Sequence, residues 1–402
     1  MGAMYKDILY KLYKRESPKR DFYIIRKNNE ENRCRKNITK YIIGGFMKLF
    51  TVPADFREST LEKYEEFNKN YPKAKVVETY GQMVEGKLVQ SGRMCESLPQ
   101  VGLKELEYYV TCSQKKGIGF NYTFNASCMS NYEGTAEGLH EIKILVKTLW
   151  NMGIDTFTVA LPEIMEIIKY TLPQSKIVVS TICEVNSIQK IYLYKNMGVD
   201  RIVVDADINR DLKLLEKMAE VFGSRIEIIV NNLCYQNCGY KMFHYNHDSH
   251  YINEKNGSIY YTSRCAMQKY SKKENVLKLN WIRPEDIHLF ENIGISFYKL
   301  QGRPSVLHGM PWKAIQAYAE ENYDGNLCDV LTLFSPSPYS TFIDNKKLEG
   351  FLEGYCTNTS VHNIDCLNCS HCSTYAEKSV TESAYNKTLV DMFKNINIFG
   401  EA

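Results

Sequence analysis

The chain has 402 residues, of which 44% are hydrophobic and 24% charged, with a formal net charge of +3. That length and balance can bury a large core and place the chain in the soluble globular class, organised either as one barrel with appendages or as two or three domains. No run approaches the roughly 18 apolar residues of a membrane span and no charged-then-apolar signal opens the chain, so neither a span nor export is expected and the cytoplasm is the expected location.

Met1-Gly2-Ala3-Met4 reads as an expression remnant. Residues 4–48 then carry eight Lys and five Arg against two Asp and three Glu, a net +8 that leaves about −5 for the rest. Tyr5, Tyr10, Tyr13, Phe22, Tyr23 and Tyr41 stand among these cations. The mixture suits an arm that recruits RNA or an acidic peptide, or a helical appendage packing Ile8, Leu9, Leu12 and Tyr13 onto the body of the protein.

From Met47 onward short apolar runs alternate with longer helical patterns, the signature of βα units around a parallel sheet. Strands are predicted at 48–52, 75–80, 117–124, 155–160, 176–180, 200–204, 225–230 and 296–300. The pattern Asn-Met-Gly-(Ile/Val)-Asp occurs at 151–155 and again at 196–200, placing helix, glycine stop and next strand in the same order each time. Eight strands predict an α/β fold, a (β/α)8 TIM-like barrel over 47–305. An insert spans 231–295, a basic extension (1–46) precedes the barrel, and a helical, Cys-rich segment (306–402) follows it. An open doubly wound sheet is the alternative, but no Gly-rich phosphate loop follows the first strand.

Thirteen cysteines would suit a disulfide framework in a short secreted chain. Here seven of them fall in two groups at metal-ligand spacings, which points to reduced thiols and metal. Cys234 and Cys238 directly follow the apolar run Ile226–Val230, and Cys265 follows in Ser263-Arg264-Cys265. A thiol pair at the carboxyl end of a buried strand suits one iron or zinc site. In the tail, Cys356, Cys366, Cys369 and Cys372 form two overlapping C-x2-C steps beyond a longer spacer, a pattern for zinc or a second cluster. Cys34, Cys95, Cys112, Cys128, Cys183 and Cys328 are scattered and read as buried inert thiols.

Catalytic groups of such barrels gather at the carboxyl ends of strands. That selects Asn125 after the third strand, Asp205 after the sixth, Asn231 after the seventh and Arg303 after the eighth, with Arg303 also a candidate to hold an anionic ligand. Asn and Asp equally favour caps and turns at these places. His244, His247 and His250 lie in the insert, which is polar enough to read as a surface loop with solvated imidazoles. No nucleophile elbow, zincin helix or Walker loop is present, so hydrolysis lacks a motif of its own.

Leu49-Phe50-Thr51-Val52-Pro53-Ala54, the ordered trio Cys234, Cys238 and Cys265, Arg264-Cys265-Ala266, Arg283-Pro284-Glu285-Asp286-Ile287 and Lys299-Leu300-Gln301-Gly302-Arg303 together resemble the collagenase-like peptidase family, class U, family thirty-two. Well-understood relatives are iron–sulfur proteins that hydroxylate RNA bases or a quinone precursor without dioxygen, with prephenate as oxygen donor. The resemblance therefore implies an iron–sulfur cluster, [4Fe-4S], on the cysteine trio and a hydroxylase or related oxidoreductase. A peptidase or peptide-binding protein with a structural metal is the other reading. Three departures stand out: relatives space the first two cysteines more widely, supply a fourth downstream of the third where no cysteine occurs here between Cys265 and Cys328, and carry a Glu where Gln301 stands. His288, Cys128 and the tail thiols are the candidates for the fourth ligand.

Overall fold

The structure is a computed structural model. It describes residues 47–250, 260–336, 341–357, 366, 368–382 and 384–395. The chain divides into Met1–Phe46 and Met47–Ala402, and the first unit, with the basic arm and Cys34, lies outside the described residues.

Eight parallel strands close a barrel: β1 (Lys48–Pro53), β2 (Ala74–Gly81), β3 (Gly119–Phe124), β4 (Thr156–Val159), β5 (Lys176–Val179), β6 (Arg201–Val203), β7 (Ile226–Ile229) and β8 (Phe297–Lys299). Each strand pairs with the next, and β8 returns to β1 in the register Leu49 to Phe297 and Thr51 to Lys299. All eight strands coincide with predicted segments. β3 begins two residues late because Gly117, at φ +69°, is still turning the chain out of the preceding helix.

The helices of the outer ring are α1 (Glu58–Asn70), α2 (Leu103–Lys115), α3 (Ala136–Asn151), α4 (Pro162–Thr171), α5 (Ile188–Asn196) and α6 (Leu212–Phe222). Their sequences show why they form. In α1, Thr60, Leu61, Tyr64 and Phe67 are buried at helical spacing, with Glu58 in the first turn and Lys69 in the last to complement the helix dipole. Thr135 caps α3 by accepting a hydrogen bond from the Gly138 amide at 2.9 Å. The repeated Asn-Met-Gly motif ends α3 and α5 alike, with Gly153 at φ +88° and Gly198 at φ +74° supplying the left-handed turn.

Between β7 and β8 come α7 (Lys241–His250), α8 (Tyr260–Tyr270) and α9 (Ile287–Asn292), and after β8 comes α10 (Pro311–Glu320). The polar insert expected as a surface loop is in part the helix α7, with Tyr245, Asp248 and Ser249 buried. Helix α10 packs against β1 and α1 and places Ala314, Ile315 and Tyr318 in the main core. It is the eighth helix of the ring, so the barrel runs past residue 305, where the sequence pattern set its end.

The tail continues with α11 (Leu327–Leu331), β9 (Phe342–Ile343), α12 (Phe351–Thr357), α13 (His371–Ser379), β10 (Val380–Thr381) and α14 (Ala384–Asn395), with β9 and β10 antiparallel. A second apolar cluster joins it to the insert: Tyr235, Leu277, Leu279 and Trp281 meet Leu327, Leu331, Leu348 and Phe351. No helix among the described residues is long and apolar enough to cross a membrane.

The barrel interior is partly ionic. Glu78, Arg201, Glu227 and Lys299 are buried together with Thr51, Asn121 and Thr158. Arg201 Nη2 pairs with Glu78, and its Nε lies 2.9 Å from Glu227 Oε2. Thr51 Oγ1 donates to Glu227, Asn121 Nδ2 donates to Glu78 at 3.0 Å, and Thr158 Oγ1 donates to Asn121 at 2.9 Å. Two anions and two cations balance, as burial of charge requires.

Candidate functional site

The chain leaves β7 through Val230, Asn231 and Asn232 into the cysteine loop. Asn232 Oδ1 accepts from the Cys234 amide at 2.8 Å, and the Cys234 carbonyl accepts from the Asn280 amide at 3.0 Å. Asp207 holds the other side: its carboxylate accepts from the Asn237 amide at 3.0 Å and from Asn280 Nδ2 at 2.7 Å. Asn237 sits at φ +54°, a left-handed position that Asn tolerates. The loop is therefore fixed by backbone contacts, and its thiols are presented rather than tethered.

Burial raises the pKa of the Cys234 thiol; Arg93 and Lys269 act against that rise, while Cys265 and Cys238 reinforce it. The three thiols are thus close enough to feel one another, with two cations beside them. Cys265, on α8, opens on a cavity of about 880 Å³ whose walls include Leu233, His244, Lys269, Trp281 and Cys328.

On the other side of the mouth, Arg303 is buried and hydrogen-bonded only to neutral groups. Its Nη1 donates to Gln82 Oε1 at 2.9 Å and Thr123 Oγ1 at 3.0 Å, and its Nη2 to Ser91 Oγ at 2.9 Å. Burial, then the nearby Arg93 charge, pull its pKa down to about 10. It remains cationic at neutral pH. Arg93 is half-buried and its Nη1 donates to the Gly92 carbonyl at 2.6 Å. Among the described residues neither guanidinium has a carboxylate within ion-pair distance, so the pair presents two positive charges to whatever enters the mouth.

Gly302 makes the approach of Arg303 possible. It sits at φ +132°, and a Cβ there would lie 2.9 Å from Leu333 Cδ1. Gly302→Ala is expected to destabilise the protein by about 1–3 kcal/mol through backbone strain. Urea unfolding checks this, and a loss below about 0.5 kcal/mol would show that the backbone relaxes freely.

The other predicted residues have structural occupations. Asn125 Oδ1 accepts from Ser91 Oγ and the Gly92 amide, both at 3.4 Å, and so steadies the loop that carries Arg93. Asp205 accepts from the Asp207 amide at 3.1 Å and from Lys241 Nζ at 2.9 and 3.0 Å, pinning the first turn of α7. Asn231 bridges Gln301 and Leu331: its Oδ1 accepts from the Gln301 amide at 2.7 Å, and its Nδ2 donates to the Gln301 and Leu331 carbonyls. Of the four predicted catalytic residues, only Arg303 presents an uncompensated functional group. Arg93 was missed. Its signal was available as a Gly-Arg pair after the second strand, Gly92-Arg93, matching Gly302-Arg303 after the eighth.

Helix α7 covers part of the mouth. Asn246 Oδ1 accepts from Ser127 Oγ at 2.7 Å, and Ser249 Oγ accepts from the Ser127 amide at 3.0 Å. Asp248 Oδ1 stands 3.6 Å from both His244 Nε2 and His247 Nδ1. Burial lowers the His244 pKa, with the Asp248 charge opposing and those of Arg93 and His247 adding to the fall.

In the tail, Cys366 is exposed, while Cys369 and Cys372 are half-buried. Burial raises the Cys372 pKa, with Arg210 and Lys278 opposing and Cys366 and Cys369 adding to it, so these three thiols form a second neighbourhood with cations of its own. The Cys356 side chain lies outside the described residues. His288 is remote from both groups: its Nδ1 is 3.9 Å from Glu321, which pairs with Lys48 at the start of β1, the opposite end of the barrel.

Among the described residues no three Cys, His, Asp or Glu side chains stand as a closed metal-ligand set. The donor chemistry at Cys234, Cys238 and Cys265 nonetheless fits a thiolate-bound metal: three half-buried thiols, with Arg93 and Lys269 to offset thiolate charge. Closing such donors onto a metal is itself coupled to binding.

Fold and site together define a (β/α)8 barrel with a thiol-bearing loop and uncompensated guanidinium groups at its carboxyl face. The chain belongs to peptidase family U32, whose family model matches residues 100–305. A protein of Methanocaldococcus jannaschii named as an uncharacterized protease is 27% identical over 288 residues, covering 71% of this chain and 84% of that protein. A solved structure titled as a U32 peptidase is 15% identical with a TM-score of 0.46, covering 64% of this chain and 94% of its own.

Proposed function

We propose that this barrel is an iron–sulfur enzyme that modifies an RNA, peptide or small aromatic substrate by oxygen-independent hydroxylation or a related oxidation. One observation carries the reading: the neighbouring thiols of Cys234, Cys238 and Cys265 share the barrel mouth with Arg303 and Arg93, which face no carboxylate among the described residues. Bound there, the cluster would supply an electrophile or an electron relay. The chain's own residues do the rest: Arg303, held by Gln82, Thr123 and Ser91, orients an anionic group, prephenate being the oxygen donor that this reading implies. Helix α7 restricts access of water, with Tyr245 packed against Ala160 and Ile182. A second metal, zinc or another cluster, is proposed for the tail thiols, and the basic arm of residues 4–46 is proposed to recruit an anionic macromolecule.

The test is metal content. Purified without oxygen, the protein should be brown, and Cys234→Ala, Cys238→Ala and Cys265→Ala should each lose most of the iron and its charge-transfer absorption. Full iron with an unchanged spectrum in all three variants would sink the reading.

A peptidase is the second reading, favoured by the name of the archaeal relative. Ser130 Oγ lies 3.4 Å from His250 Nδ1, an exposed contact. A colourless protein that cleaves peptides, and loses that activity in Ser130→Ala, would establish it.

A further inference from the structure

We propose that the cavity of about 880 Å³ between helix α8 and the segment that follows the barrel binds a small molecule with an aromatic body and a single anionic head, and that the head pairs with Lys269. As a binding site it stands with or without a metal at the cysteine loop. Arg303 is not in its wall, so it is separate from the anion position at the barrel mouth.

One wall follows from helical periodicity. Thr262, Cys265, Ala266 and Lys269 recur at steps of three and four along α8, so a single face of that helix meets the cavity. The facing wall is assembled by the fold from Trp281 of the insert, Leu331 of α11, Phe334 just beyond it and Ile343 of β9. This frame is fastened by hydrogen bonds. Trp281 Nε1 donates to the Val276 carbonyl at 2.8 Å, and Asn326 Oδ1 accepts from the Cys328 amide at 3.2 Å and the Ile343 amide at 2.9 Å, tying α11 to β9. Phe342, 44% exposed, marks the solvent edge.

The ligand's chemistry follows from what the wall leaves unsatisfied. Thr332 Oγ1 donates to the Cys328 carbonyl at 2.9 Å, and Asp329 Oδ1 accepts from Asn326 Nδ2 at 3.4 Å, so these polar groups are engaged within the wall. Lys269 is half-buried, and among the described residues its ammonium has neither a hydrogen bond nor a carboxylate within ion-pair distance. A partly desolvated charge is stabilised by a counterion. Trp281, Phe334 and Phe342 offer ring faces and edges to an aromatic body. The volume lies within the roughly 300–1,000 Å³ of small-molecule sites. A neutral apolar molecule would leave Lys269 uncompensated, and a dianion would bring a second charge toward Asp329. One negative charge on an aromatic body meets both conditions.

The test titrates 2-naphthoate and its neutral counterpart 2-naphthylmethanol into the full-length protein by calorimetry, with the fold of each variant checked by circular dichroism. The naphthoate should bind at least about tenfold more tightly than the alcohol, the lower end of what a charge-assisted hydrogen bond supplies. Lys269→Met keeps the apolar stem and should erase that preference while changing the alcohol's affinity less than about threefold. Ala266→Phe, which adds a ring to the same face of α8, should abolish binding of both; if it fails to fold, Lys269→Met decides alone. Wild-type protein that shows no saturable binding up to about 1 mM, a preference for naphthoate that persists in folded Lys269→Met, or undiminished binding in folded Ala266→Phe would each overturn the assignment. Naphthoate binding that depends on Arg303 in place of Lys269 would put the anion at the barrel mouth and overturn it as well. Iron and zinc content of the same preparation is read separately, so failure here and failure of the metal reading are distinguishable.

Discussion

Arg303→Lys is expected to weaken binding of a carboxylate ligand at the barrel mouth by about tenfold or more. Three donors of the guanidinium are taken by Gln82, Thr123 and Ser91 at 2.9 to 3.0 Å, which leaves its charge, in a buried position, without a counterion among the described residues. Lysine keeps the charge but loses the planar fork, so it cannot hold those three neighbours and a ligand at once. A charge-assisted hydrogen bond contributes about 1.5–3 kcal/mol, and tenfold in affinity is about 1.4 kcal/mol. The pH dependence has a definite sign. The Arg303 pKa lies near 10, lowered by burial and Arg93, so anion binding should persist through neutral pH and fall as pH rises through that value. Isothermal titration with prephenate and with a simple dicarboxylate measures both effects. Unchanged affinity in the Lys variant removes Arg303 from the ligand site.

Glu227→Gln should produce the largest loss of stability, about 3–5 kcal/mol, because it breaks a buried ionic group while leaving its partners in place. Glu227 is fully buried, with Arg201 Nε at 2.9 Å and Lys299 Nζ at 3.9 Å. Burial acts to raise its pKa, yet Arg201, Lys299 and the Thr51 hydroxyl outweigh burial and hold it below the usual value. A carboxylate with a lowered folded pKa adds stability above its unfolded pKa and loses it as pH falls through the folded value. The wild-type protein should therefore lose stability toward acid more steeply than the variant. Lys299 limits the damage: burial lowers its pKa, and without the Glu227 charge it can shed its proton and remain as a neutral amine over the Tyr80 ring at 3.6 Å. Urea unfolding of the two proteins across pH 4 to 8 decides the matter; a difference below about 1 kcal/mol would mean that Arg201 re-pairs fully with Glu78.

The barrel was legible in the sequence because its determinants are local. Alternation of apolar runs with amphipathic helices, and the glycine that stops α3 and α5 in the left-handed region, are read residue by residue along the chain. The positions of Cys234 and Cys238 were legible for the same reason, since they follow the β7 strand directly, whereas Cys265 comes from α8. What surrounds them was not. The run Ile226–Val230 reads as apolar, but Glu227 within it meets Arg201 and Lys299 from the flanking strands β6 and β8, a relation that exists only once the strands pair.

Asp205, Asn231 and Asn125 have the chemistry of catalytic residues and sit at strand ends, and sequence position says no more than that. The fold spends each on a clamp, because Lys241, Gln301 and the Ser91–Gly92 backbone arrive from distant segments and satisfy those side chains. Arg303 and Arg93 stay uncompensated for the complementary reason: among the described residues the closed barrel brings them neutral acceptors and each other, but no carboxylate within ion-pair distance. By itself the sequence determined the eight βα units and the thiol-bearing loop, which depend on neighbours a few residues apart. Only tertiary contact decided which polar groups are occupied and which remain available to a ligand, because hydrogen bonding and charge compensation between residues from 34 to 221 positions apart are properties of the packed barrel.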